Sequence, residues 1–321
     1  MRFLKIRILG LPFLYMFQMG NAFLVASLNS RYLMIGFIFE AAVNILFDYL
    51  LIWGNWGFPE MGFNGAAMAS VLAEATGMIV VLIVISYTGL RKKYDLLSNF
   101  SFNKIFNKEI LRVSVPLVTQ YIISVTTWLV FFILIESRGT EAKAISNVMR
   151  NVFGLAGVFV WAFASTTSSM VSNLMGQQRE DQVIRLVKRI SMWSILFCAF
   201  MVSILNIFPD VFFRLFGQSD SFVAEGIPVI RMVSVSIMFM SVANIWLNSV
   251  TGTGKTKVNL AIEIVAISIY LAHTWYFMKL NYISLAVAWS NELVYWGSIF
   301  IMSSIFIYSG KWRTKNAGIK G

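Results

Sequence analysis

The sequence predicts an all-α, polytopic membrane protein, and three observations carry that reading. Its 321 residues are 58% hydrophobic and only 13% charged, with a mean hydropathy of +0.73. A water-soluble fold does not tolerate that balance. The apolar stretches run unbroken for about twenty residues or more, the length needed to cross a hydrocarbon core of about 30 Å. A transmembrane β-barrel would instead show short segments of alternating polarity. The basic residues gather in short loops between apolar stretches, so the net charge of +11 belongs to membrane topology and implies no nucleic-acid partner.

About nine spans are predicted, near 8–28, 32–53, 64–88, 110–136, 143–173, 184–208, 224–250, 258–280 and 284–309. The first follows Arg2, Lys5 and Arg7 and resembles a signal peptide. Its length, its Pro12 and Gln18, and the span that follows at once mark an uncleaved helix instead. The second, Tyr32–Trp53, carries a polar stripe, and the third begins in the small-residue run Gly62–Ala69, which lets helix backbones approach closely. A longer polar stretch, Arg91–Lys108, precedes the fourth, whose Pro116 (like Pro12) breaks the helical ladder and permits a bend. The sixth holds Cys198, the single cysteine, which excludes disulfides and thiolate metal centres. The eighth holds the lone His273, read as a buried, hydrogen-bonded side chain. The predicted organisation is therefore an N-lobe at 1–90, a cytoplasmic inter-lobe loop at 91–109, a C-lobe of six spans at 110–310 and a cytoplasmic tail at 311–321.

Lys and Arg divide unevenly between the two sides. Arg31, Arg91, Lys92, Lys93, Lys104, Lys108, Arg112, Arg179, Arg185, Lys188, Arg189, Lys255, Lys257, Lys311, Arg313, Lys315 and Lys320 fall on one side. Arg2, Lys5, Arg7, Arg138, Lys143, Arg214 and Lys279 fall on the other. The richer side is cytoplasmic and holds the C-terminus, placing the chain as a multi-pass protein of the plasma (inner) membrane. Nine spans then put the N-terminus outside, against its own positive charge. A weak repeat bears on this: Leu28-Asn29-Ser30-Arg31 leads to Glu40, and Thr251-Gly252-Thr253-Gly254-Lys255 leads to Glu263, an offset of about 223 residues. That offset lays spans one to three over spans seven to nine and leaves spans four to six without partners. The expectation is a twelve-helix architecture lacking its first three helices.

The stripe in the second span is Glu40, Asn44 and Asp48. Spacing of i, i+4, i+8 keeps the three on one face, drifting about 80° over about 12 Å. A carboxylate costs about 2.5–3.5 kcal/mol or more at the bilayer centre, so this face must meet protein or water and reads as a cation or proton site, with a structural polar network joining helices as the alternative. Glu74, about mid-span in the third helix, and Ser70, one turn earlier, are candidates to share it. Glu263 and Glu292 occupy comparable depths in the C-lobe, with structural pairing and transport both open. Glu136 and Arg150 are expected to form a structural ion pair. Trp128, Phe132, Trp161 and Trp246 are candidates for a cavity that takes lipophilic cations on aromatic faces, with Phe131 beside them and Glu292 as its acid. Gly254-Lys255-Thr256 is no phosphate-binding loop, because Ser249 stands where the first glycine is needed and no strand precedes it. No constellation of nucleophile, base or metal ligands marks an enzyme.

The second and third spans read Asn44-x3-Asp48-x5-Gly54-x2-Gly57-x-Pro59-x2-Gly62-x2-Gly65-Ala66-Ala67-x-Ala69. This resembles the fifth and sixth helices of the MATE (multidrug and toxin extrusion) family. The opening Phe3–Phe13, with Pro12, is similar to the family's fourth helix; Val113–Val118, with Pro116, to its seventh; Ala144–Gln177 to its eighth. The resemblance implies a MATE-like two-lobe helix bundle acting as a secondary antiporter. It would export organic, often cationic and amphipathic, small molecules in exchange for Na⁺ or H⁺, with no other cofactor, as a monomer. In one branch, residues matching Asn44 and Asp48 form an N-lobe cation site with an acid on the family's first helix, so the resemblance places Na⁺ at Asp48 and Asn44. Another branch couples through a glutamate in its seventh helix and acids in its tenth; here Val125 and Thr126 stand near the former, and Met232–Val250 contains no acid. A lipid-linked saccharide flippase of the same superfamily, with Arg150 and Arg231 as its cationic lining, and a non-transporting remnant stay open as alternatives.

Overall fold

A computed structural model describes residues 2–96, 103–215, 220–279 and 283–313; Lys315 and Lys320 of the predicted tail lie outside the described residues. It is helical throughout, with no strand among the described residues. The chain divides into two compact units, Met1–Phe102 and Asn103–Gly321. Among the described residues, eight helices are long and apolar enough to cross a membrane.

The first unit contains α1 (Arg2–Ala26), α2 (Leu33–Trp53), α3 (Phe63–Tyr87) and the single turn α4 (Leu90–Lys93). The central helix is α3, packed against both α1 and α2. Its small residues make this possible: Gly65, Ala67, Ala69, Ala73 and Gly77 are all buried. A β-carbon on Gly65 would stand 2.5 Å from the Leu51 carbonyl oxygen and 3.0 Å from the Ile52 nitrogen. Both are backbone atoms that cannot yield. The hairpin joining α2 to α3 holds that approach, with Gly54, Gly57 and Gly62 at positive φ and Met61 N–H donating to Leu51 C=O at 2.8 Å. Gly65→Val is therefore expected to destabilise this unit by about 1–3 kcal/mol through overpacking. Thermal unfolding of the purified chain checks it, and an unchanged midpoint would contradict the contact.

Phe17 is the wedge of the unit. It is fully buried, and its ring fills two notches left by glycines on the neighbouring helices. A β-carbon at Gly36 would lie 2.9 Å from Phe17 Cε2, and one at Gly77 3.2 Å from the same atom. Pro12 lies inside α1, between Arg7 and this wedge.

The second unit contains α5 (Lys104–Glu136), α6 (Thr140–Gly176), α7 (Val183–Ile207), α8 (Pro209–Leu215), α9 (Asp220–Gly252), α10 (Thr256–Lys279), α11 (Leu285–Ala288) and α12 (Ser290–Tyr308). At its centre α9 packs on α6, α7 and α12, while α5 lies on α10. One core gathers around Trp289, with Phe131, Phe153, Ile230 and Ile237. A second contains Trp246, Val250, Ile262, Ala266 and Trp312.

Two boundaries differ from the hydropathy reading, each for a local reason. The fourth span was expected from about residue 110, but α5 starts at Lys104. Asn103 Oδ1 accepts from Ile105 N–H at 3.0 Å and Phe106 N–H at 3.3 Å, a cap that starts the helix inside charged sequence. The ninth expected span is broken near its start: α11 is a single turn opened by Ser284, and Trp289 is a turn residue before the 19-residue α12. With Ser290, Asn291 and Glu292 in its first turn, α12 is the expected span that falls outside the eight.

Candidate functional site

The α2 stripe meets α1 and α3 in a cavity of about 380 Å³ within the first unit. Its polar lining is Arg7 from α1, Glu40 and Asn44 from α2, and Ser70 and Glu74 from α3, with Phe37, Ala41 and Ala73 between them. The close approach of α3 positions these groups, because the alanines and glycines on its packing face leave Ser70 and Glu74 as the side chains with reach. Asn44 Nδ2 donates to Ser70 Oγ at 3.5 Å, and Ser70 Oγ donates to the Ala66 carbonyl at 3.0 Å. Arg7 Nη2 donates to Glu74 Oε1 at 2.8 Å, joining α1 to α3 by an ion pair. Glu74 is 6% exposed, and its Oε2 and Arg7 Nη1 are buried without partners. Glu40 makes no ion pair among the described residues. The chamber thus offers one unpaired carboxylate, an amide and a hydroxyl, a set of oxygens suited to a small cation or a proton.

Four of the five predicted coupling residues come together here: Glu40, Asn44, Ser70 and Glu74. Asp48 does not line this cavity; it lies one turn further along α2, with Oδ1 buried and without a partner. Arg7 is the member that sequence reasoning misses, since it stands there only as a flanking charge. Gly10, one turn on, was the available signal, since a side chain there would collide with Glu74 Oε2.

Of the predicted aromatic cavity, Trp128 and Phe132 come together and Trp128 reaches Glu292, while Trp161 and Trp246 lie apart from them. Trp161 is 57% exposed, whereas Trp246 is 4% exposed and packs in the core against Phe300 and Tyr308. Trp128 and Phe132 stack edge to face at 4.7 Å, and Phe132 in turn meets Trp289. The expected Glu136–Arg150 ion pair is also replaced. Glu136 pairs with Lys143, and the Arg150 guanidinium lies 5.7 Å over the Phe132 ring. The loop side of Glu136 brings Lys143 to it across the tight α5–α6 turn, while Arg150 is two turns further along α6.

Glu263 and Glu292 are both buried in the second unit. Glu263 accepts from the Tyr295 hydroxyl at 2.6 Å and from Gln120 Nε2 at 3.3 Å; Ser124 Oγ lies 3.3 Å from the same hydroxyl. Glu292 Oε1 accepts from the Tyr270 hydroxyl at 3.4 Å. Neutral donors from α5, α10 and α12 thus hold both acids; sequence reasoning names Trp128 among them but not Gln120, Tyr270 or Tyr295. The i, i+4 spacing of Gln120 and Ser124 on α5 was the legible hint. His273 Nε2 lies 3.5 Å from Ser290 Oγ, and its Nδ1 is buried without a partner. Within Gly252–Thr256, residues 253–255 form the turn between α9 and α10, with Gly254 at positive φ.

Comparison with known proteins agrees with this architecture. The MatE family model matches residues 116–276. The chain is 25% identical over 278 residues to a probable multidrug resistance protein NorM of Thermotoga maritima, covering 85% of this chain and 59% of that protein. It is 21% identical over 215 residues to an uncharacterized transporter, YisQ, of Bacillus subtilis, covering 67% of this chain and 47% of that one. It therefore spans only about half to three-fifths of the length of these relatives. Among solved structures, the Vibrio cholerae MATE transporter VcmN in its bent form superposes with a TM-score of 0.81 at 15% identity, over 97% of this chain and 70% of that one. An outward-facing multidrug resistance MATE family transporter of the MOP superfamily gives 0.78 at 17% identity, over 90% and 65%. At such identities the structures speak to the fold, and the family model speaks to descent. With half its length matched by that model, the chain belongs to the MATE family of transporters.

Proposed function

We propose that this chain carries the coupling site of a secondary antiporter of the plasma membrane, which exports organic, often cationic, small molecules in exchange for Na⁺ or H⁺. The observation that carries the proposal is the α2 stripe: Glu40 opens unpaired into a chamber with Asn44 and Ser70, and Asp48 follows one turn on with a buried, unpartnered oxygen. A carboxylate at membrane depth with no cationic partner has two ways to lower its cost: it takes a proton or it holds a cation. Either event, tied to a change of access, is what antiport requires. The multidrug resistance proteins among the relatives support the substrate class, and the basic side of the chain supports a cytoplasmic C-terminus.

The test is ethidium efflux from cells expressing the full chain, compared with Glu40→Gln and Asp48→Asn at matched membrane abundance. Each variant is expected to reduce efflux to the level of cells without the protein. Undiminished efflux in both would remove the stripe from coupling.

A further inference from the structure

Of the three charged side chains lining the chamber, two are already joined, Arg7 to Glu74 at 2.8 Å. Of those three, Glu40 alone makes no ion pair; Asp48, outside the lining, makes none either among the described residues. The lining as a whole carries one net negative charge. Without Arg7 it would present two carboxylates with Asn44 and Ser70, an oxygen set that suits a hard divalent cation. With Arg7 in place, a dication would face the guanidinium and leave the lining net positive. A single positive charge leaves the lining neutral. We infer that Arg7 sets the capacity of the chamber at one positive charge, excluding divalent cations and making Glu40 the carboxylate that receives a monovalent cation or a proton. The inference rests on the coupling reading of this chamber and adds its charge selectivity.

The geometry supports this role over that of a simple tether. Glu74 is buried and its second oxygen has no partner, so the pair is not saturated; Arg7 Nη1 is likewise buried and unpartnered. A purely structural pair would gain from closing both contacts as a bidentate fork. Here one contact is made, and the remaining donor and acceptor are buried without partners, Glu74 Oε2 lying against Gly10.

Mn²⁺ is the probe, read by paramagnetic resonance of the bound ion and by thermal unfolding of the purified full chain. The wild type is expected to show no saturable Mn²⁺ binding. Arg7→Gln is expected to bind Mn²⁺ at least about tenfold more tightly, and Mn²⁺ should raise its unfolding midpoint. Arg7→Lys, which keeps the charge, should behave as wild type, and Glu40→Gln added to Arg7→Gln should abolish the gain. Asn44→Asp tests the same rule with the ion pair intact: it raises the lining to two net negative charges and should also acquire Mn²⁺ binding, so it carries the test if Arg7→Gln does not fold. Wild-type Mn²⁺ binding as tight as that of Arg7→Gln would overturn the inference. So would Arg7→Lys behaving as Arg7→Gln, or no gain in Asn44→Asp. Mn²⁺ binding needs no transport, so intact efflux in Glu40→Gln and Asp48→Asn would sink the coupling reading without touching this result.

Discussion

Trp289→Ala is expected to destabilise the Asn103–Gly321 unit by about 3–5 kcal/mol, the range for emptying a large aromatic from a packed core. The side chain is fully buried, with ring centroids of Phe131, Phe132 and Phe153 at 5.3, 6.0 and 5.8 Å. These rings come from α5 and α6, so the indole ties both helices to the turn that precedes α12. Its Nε1–H donates to Ser146 Oγ at 3.1 Å, and Ser146 is itself fully buried. Truncation therefore opens a cavity and deprives a buried hydroxyl of its donor. Trp289→Phe keeps most of the ring contact and loses the hydrogen bond, so it should cost about 1–3 kcal/mol. Thermal unfolding of the purified chain separates the two variants. Equal midpoints for alanine and phenylalanine would mean that the ring contacts contribute little.

The second large effect lies at Arg7. Arg7→Met leaves the buried Glu74 carboxylate without its partner, a change that typically costs about 3–5 kcal/mol. Arg7→Met with Glu74→Leu removes both charges and should recover most of that loss, because replacing a buried pair by apolar groups is often close to neutral. The two single variants and the double variant form a cycle whose coupling term is the quantity to measure. Strictly additive losses would show that the pair seen at 2.8 Å contributes no coupling to stability. Glu74→Leu alone should cost less than Arg7→Met. The Arg7 side chain is 31% exposed against 7% for Glu74, and a guanidinium on a long stem can turn toward water.

The helices were legible in the sequence because hydropathy over twenty residues is a strong local signal, and so was the α2 stripe, whose three members lie within nine residues. The tight α2–α3 hairpin was legible for a similar reason: Gly54, Gly57 and Gly62 announce a turn, and Gly65 with the alanines announces close packing. What stayed hidden depends on partners distant in sequence. Arg7 and Glu74 are 67 residues apart, and nothing near Arg7 distinguishes it from Arg2 or Lys5 except Gly10. Glu263 and Tyr295 are 32 residues apart on different helices, so periodicity within either one could not reveal their bond. The Glu136–Arg150 expectation failed because helix ends were matched by depth alone, while the α5–α6 turn delivers Lys143 first. Trp246 was misplaced because aromatic character does not say which face of a helix is buried.

Phe17 and Pro12 together divide α1 mechanically. Beyond the proline, toward the C-terminal end, the ring of Phe17 is keyed into Gly36 and Gly77, and that half of the helix turns or slides only if α2 and α3 go with it. Before the proline, the backbone has lost one rung of its ladder, and the segment is held to α3 by Phe3 stacked on Phe63 at 4.3 Å, by the close approach of Gly10 to Glu74 and Val71, and by the Arg7–Glu74 pair. Arg7 therefore sits on an arm of α1 tied to α3, on the other side of Pro12 from the phenylalanine that keys the helix to both its neighbours. Moving the guanidinium at that proline means shifting α1 against the α3 contacts of Phe3 and Gly10 as well.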